Sequence, residues 1–117
     1  MLLNAATLLV ALLFAPGIQA QKGSVHGLVT DLYSGKPIQD VQVVVKETGQ
    51  GTVTDRFGMF YCRSLPEGKL TLEFSHIGYS LQSIEVIVSG GTTSRVNVAL
   101  EERVRQADKL ESVGVLA

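Results

Sequence analysis

Between residues 24 and 100 apolar and polar side chains alternate one by one in short bursts, and clusters of turn formers separate the bursts. A period of two belongs to an extended strand with one face in a core and the other in water, so this chain is confined to a small all-β architecture. Val25, Gly27 and Val29 oppose Ser24, His26 and Thr30; Val41, Val43 and Val45 oppose Gln42 and Lys46. Thr52-Val53-Thr54 reads as a short strand running into Asp55-Arg56-Phe57-Gly58, where Asp first and Gly fourth suit a type I turn, and Met59 to Cys62 leads back to complete a hairpin. Leu70, Leu72 and Phe74 face inward against Thr71, Glu73 and Ser75. After a bend at Ile77-Gly78-Tyr79, Ile84, Val86 and Val88 and then Val96, Val98 and Leu100 repeat the pattern. The spacing predicts seven short strands in an antiparallel two-sheet sandwich. Phe60, Leu72, Phe74, Val43 and Val98 share the parity of its core.

The first twenty residues lie outside that pattern. Residues 5–15 are almost wholly apolar, Pro16-Gly17 breaks a helix, and Ile18-Gln19-Ala20 suits a signal peptidase, although neither Lys nor Arg precedes the run. This predicts a signal peptide over 1–20, cleaved to leave Gln21 first. The run is about half the roughly 20 residues that span a bilayer, so a permanent membrane anchor is not expected. The remaining length suits one domain. Residues 21–101 form the expected sandwich, and residues 102–117 a polar linker with an apolar end. The net charge of −1 is spread along the chain and supplies no basic field for nucleic acid. Cys62 is the single cysteine, two residues after Phe60 on the same side of its strand, and reads as a small core hydrophobe.

Four short patterns carry a family resemblance. Gly27-Val29-Asp31, then Pro37-Ile38-Val41-Val43-Val45, then Thr54-Asp55-Gly58-Phe60, and finally Ile77-Gly78-Tyr79 resemble the carboxypeptidase regulatory-like domain. The resemblance implies a transthyretin-like (prealbumin-like) sandwich. It also implies a place before the plug and barrel of TonB-dependent outer-membrane receptors, at the periplasmic face of the outer membrane. Leu110, Glu111, Ser112, Val113, Gly114 and Val115 look like a variant TonB box, with Ser112 and Gly114 interrupting the usual run of valines. That resemblance implies a TonB-like periplasmic partner bound by strand addition, in which an extended segment lends its backbone to a partner's sheet.

The residues do not converge on chemistry. His26 and His76 are fifty positions apart and neither begins an H-x-x-E pair, because Val29 and Tyr79 stand third after them, so the peptidase in the family's name does not transfer. Ser75 and His76 are strand neighbours that point to opposite faces and cannot act as nucleophile and base. Asp55 alone supplies too few oxygens for calcium, which takes six or more. The Tyr-Arg-Gly-Ser terminus of the hydrolases in the transthyretin fold group is missing from this sequence. The expectation is therefore a module without catalytic, cofactor or metal residues that couples a receptor to TonB. The rival expectation is a free-standing secreted or periplasmic sandwich that binds a glycan or protein, with Tyr33, Tyr61 and Tyr79 as its aromatic candidates. Val44, Ile87 and Leu28 fall on the otherwise polar faces.

Overall fold

Along β1, Gly23–Asp31, each odd-numbered residue is buried and each even-numbered one half-buried, and a similar alternation recurs along most later strands. The computed structural model describes residues 21–104. The other strands are β2 (Gln42–Val45), β3 (Gly51–Val53), β4 (Met59–Leu65), β5 (Gly68–His76), β6 (Tyr79–Val88) and β7 (Thr93–Leu100). They form a three-stranded sheet in the order β4-β1-β7 and a four-stranded sheet in the order β3-β2-β5-β6. The all-β seven-stranded sandwich is thus the observed fold.

Two details differ from the expected connectivity. β1 and β7 pair in parallel over eight residues, from Ser24 opposite Thr93 to Asp31 opposite Leu100, whereas the other pairs are antiparallel. The reason is parity: odd-numbered strands run one way and even-numbered strands the other within each sheet, so first and last share a direction and pair in parallel once they are neighbours. β3 and β4 are not a hairpin either. β3 pairs with β2 and β4 with β1, so the turn at Asp55 carries the chain from one sheet to the other.

That corner is held from inside. Thr54 is buried, its Oγ1 donating to the Ile38 carbonyl at 2.7 Å and accepting the Val41 N–H at 2.9 Å. The Asp55 carboxylate accepts the N–H groups of Phe57 and Met59 at 2.9 and 3.0 Å, as the turn requires. Gly58 has φ +75° and its carbonyl accepts the Val29 N–H; a Cβ there would stand 2.6 Å from the Val29 oxygen, so both the angle and the space demand glycine. A bulge in β4 follows, with Ser64 at φ 56°, and its extra residue turns Leu65 inward where strict alternation would turn it out.

The core joins the sheets through Val25 and Val29 of β1, Phe60 and Cys62 of β4, and Val98 and Leu100 of β7 on one side. Val43, Leu72, Phe74 and Val86 lie on the other. Phe60 and Phe74 meet edge to face across the two sheets, with centroids 5.5 Å apart and planes at 74°. The residues expected to share the core by parity do so. Leu28 and Val44 are half-buried on the outer faces and Ile87 is exposed.

Phe74 is fully buried at this junction, and Phe74→Ala should destabilise the domain by about 3–5 kcal/mol. Urea unfolding should show the midpoint falling with an unchanged slope. A midpoint equal to that of the natural sequence would remove Phe74 from the core.

Candidate functional site

Where β7 ends, the chain meets the start of β6, and two of the four sequence patterns come together there. Asp31 closes β1 and is buried although charged. One carboxylate oxygen accepts the N–H groups of Tyr33 and Ser34, each at 2.9 Å, and the other accepts the hydroxyl of Tyr79 at 2.8 Å. These donors stabilise the anion and hold the Asp31 carboxyl well below the usual carboxylate range, the Ser34 N–H contributing most, then the Tyr79 hydroxyl and the Tyr33 N–H. Burial, followed by the neighbouring Asp31 carboxylate, pushes the Tyr79 phenol up to about 12.

The same tyrosine holds the chain that follows β7. Tyr79 and Glu102 form an antiparallel bridge, the Ser80 N–H donates to the Glu101 carbonyl at 2.9 Å, and the Arg103 N–H donates to the Gly78 carbonyl at 3.1 Å. Arg103 Nε donates to the Tyr79 carbonyl at 3.1 Å, and the Tyr33 hydroxyl donates to Glu101 Oε1 at 3.3 Å. Glu102 and Arg103, expected at the head of a loose linker, are therefore fastened to the sandwich.

Beside this root runs an open groove of about 530 Å³ lined by Asp40, Gln42, Ser75, His76, Ile77 and Arg103. Ile77, at the tip of the β5–β6 turn, is 91% exposed. His76 accepts the Gly78 N–H at Nδ1, 3.0 Å away, and its ring meets that of Tyr79 edge-on at 5.4 Å. His26 lies on the other sheet, 6.1 Å from the ring of Tyr61, so the two histidines are not brought together. Among the described residues no group of three or more His, Cys, Asp or Glu is placed to hold a metal ion. Cys62 is buried, and burial pushes its thiol up, away from the reactive thiolate. The partner-binding segment Leu110, Glu111, Ser112, Val113, Gly114 and Val115 and the leader 1–20 lie outside the described residues.

A second exposed strip follows β3, the corner and β4. Val53, Phe57, Met59 and Tyr61 all show more than a third of their surface. The Arg63 guanidinium lies 4.9 Å over the Tyr61 ring, and a cleft of about 340 Å³ is lined by His26, Thr52, Val53, Asp55, Met59, Phe60 and Tyr61. At the free edge of β4, Gln50 Nε2 donates to the Arg63 carbonyl at 3.2 Å, and the Asp55 N–H donates to the Met59 carbonyl at 2.9 Å.

The CarboxypepD_reg-like domain model matches residues 25–111, from the first core valine of β1 past the root at Arg103. The chain belongs to that family. Among curated proteins, this CarboxypepD_reg-like chain is 28% identical over 103 residues to TonB-dependent receptor P3 of Formosa agariphila, covering 88% of this chain and 10% of the receptor. It is 34% identical over 95 residues to TonB-dependent receptor SusC of Bacteroides thetaiotaomicron, covering 81% of this chain and 9% of the receptor. The chain thus spans about a tenth of the length of these relatives. Among solved structures, the group B streptococcus pilus 2b backbone protein superposes with a TM-score of 0.60 at 15% identity, over 74% of this chain and 43% of that one. The Bacillus anthracis TIE protein gives 0.59 at 17% identity, over 70% and 17%. These two likenesses show the fold of the CarboxypepD_reg-like domain.

The Asp31–Tyr79 contact was hidden in the sequence because its partners are 48 positions apart. The available signal was that each closes one of the four patterns without any core role for its polar group. The phenol pushed up to about 12 contributes stability that is whole below pH 10, its ordinary value, and is lost as pH rises from 10 toward 12. Denaturant unfolding at stepped alkaline pH should show that loss in the natural sequence and lack this component in Tyr79→Phe. Ultraviolet titration should find one of the three tyrosines ionising near pH 12. For Asp31 the sign is opposite: its contribution is present above about pH 4 and fades below it, and Asp31→Asn should remove that acid limb.

Proposed function

We propose that this chain is the non-catalytic N-terminal module of a TonB-dependent outer-membrane receptor, exported through the leader 1–20. In this reading the sandwich of residues 21–101 faces the periplasm and presents the energy-coupling segment within 102–117. The observation that carries the proposal is the root at Tyr79 and Arg103. Gly78 and Tyr79, from one of the family's own patterns, fasten the chain at residues 101–103 where it leaves the last strand. Support comes also from the receptors to which the chain is similar. The inward faces of the strands are filled by aliphatic and aromatic side chains, and the buried carboxylate of Asp31 is spent on a turn and a tyrosine.

Leu110 to Val115 bind TonB by strand addition in this proposal, with backbone N–H and C=O groups extending the partner's sheet. Hydrogen exchange tests it. The C-terminal domain of TonB should protect the amides of residues 110–115 and leave those of β1 to β7 unchanged. Val113→Pro should abolish the protection, since proline removes an N–H and cannot continue a ladder. An unprotected tail at saturating TonB would overturn the coupling role. Export has its own check: mass spectrometry of envelope material should find Gln21 as the first residue, and an intact Met1 form in the cytoplasm would refute it.

A second reading rests on the strip around Tyr61. Its exposed apolar side chains and adjoining cleft suit a module that binds a glycan or protein through the three-stranded sheet. If Tyr61→Ala removes binding to the cell envelope while TonB leaves the tail unprotected, this second reading takes the place of the first.

A further inference from the structure

The parallel pair of first and last strands decides how this domain responds to a pull. The start of β1 and the start of β7 lie at the same end of their sheet, where the Ser24 N–H donates to the Thr92 carbonyl at 3.0 Å and the Gly91 N–H to the Lys22 carbonyl at 2.9 Å. The chain leaves β7 at the opposite end, where the Leu32 N–H donates to the Leu100 carbonyl at 2.9 Å. The entry to β1 and the exit from β7 are separated by the length of the ladder, roughly 25–30 Å for a nine-residue strand.

We infer that the sandwich resists a pull applied between the start of β1 and the end of β7 more strongly than one applied at a single end of the pair. When the chain before β1 is held, a pull beyond Val104 draws β7 along its own axis, so the hydrogen bonds over the whole eight-residue register are loaded at once. β1 is the strand least able to follow. It is the middle strand of its sheet, bonded to β4 on its other side, with Val25 and Val29 fully buried in the core. Sliding β7 by one residue would also turn Val98 and Leu100 out of the core. Ahead of this ladder the pull meets the root, where Glu101 and Arg103 are bonded to Ser80 and Gly78. The same pair pulled from the turn between β6 and β7 would open one bond at a time. Resistance therefore depends on direction, and the resistant direction is that of the segment leaving β7. The inference concerns the mechanics of the sandwich itself and goes beyond the coupling reading, which does not require β1 to be held. Its test needs no TonB, so the two stand or fall separately.

Single-molecule force spectroscopy of the full chain carrying Ser89→Cys provides the test. Ser89 is exposed in the β6–β7 turn, and buried Cys62, with its thiol pushed up, leaves the new cysteine as the site for a thiol-reactive handle. One protein is pulled in two geometries: from its N-terminus and C-terminus, and from its N-terminus and residue 89. The expected result is a rupture force about twofold or more higher end to end, because bonds loaded together must fail together. Equal forces in the two geometries, or a higher force from residue 89, would overturn the inference. Because the protein is the same in both measurements, a change in stability caused by the substitution cannot produce the difference.

Discussion

A chain that reverses direction at each strand in turn has no freedom over the sense of its first and last members when their number is odd. Here β1 and β7 must run the same way, and once the sandwich brings them side by side the pair is parallel. Much else follows from that constraint. β1 becomes the middle of the smaller sheet, with β4 on one flank and β7 on the other, and Gly27 leaves no room for a side chain between them: a Cβ there would lie 1.6 Å from the Val96 carbonyl oxygen. The parallel sense also sends the outgoing chain to the end of the sheet where Asp31 and Tyr79 stand, so the root exists because of the strand order.

The four patterns behind the family resemblance are used for construction. Gly27 admits β7 to the sheet, Thr54 and Asp55 hold the corner, Gly58 fits beneath the Val29 carbonyl, and Phe60 meets Phe74. Asp31 and Tyr79 bind each other and receive the departing chain. Ile77 departs from this rule, standing almost wholly exposed beside the groove at the root, with no role in the core. A family named after a peptidase thus preserves in this chain a way of folding and of letting the chain out.

The sequence exposed what depends on neighbours along the chain and concealed what depends on distant partners. The inward faces of β5 and β6 were legible because Leu70, Leu72, Phe74, Val86 and Val88 keep period two without interruption. The type I turn at Asp55 was equally local, yet whether it joined two strands of one sheet or led from one sheet to the other depended on Thr54 reaching Ile38 and Val41, which no spacing discloses. The bulge at Ser64 was hidden for the same reason, since only pairing with β1 shows that β4 carries an extra residue. Of the site, the sequence offered its component residues and their patterns; the contact between Asp31 and Tyr79 and the fastening of Glu102 and Arg103 appear only once the two sheets are stacked.

The side chains that lean over the free edge of β4 have a consequence for how these molecules behave in a crowd. An edge strand offers unpaired backbone groups to any passing strand, and like molecules at high density can zip together through such edges. On β4 the Met59 carbonyl is taken by the Asp55 backbone, the Met59 N–H by the Asp55 carboxylate and the Arg63 carbonyl by the Gln50 side chain, so a stranger could align with only the short stretch around Tyr61. Too short a run to nucleate a shared sheet, that stretch leaves neighbouring copies free to slide past one another at this edge.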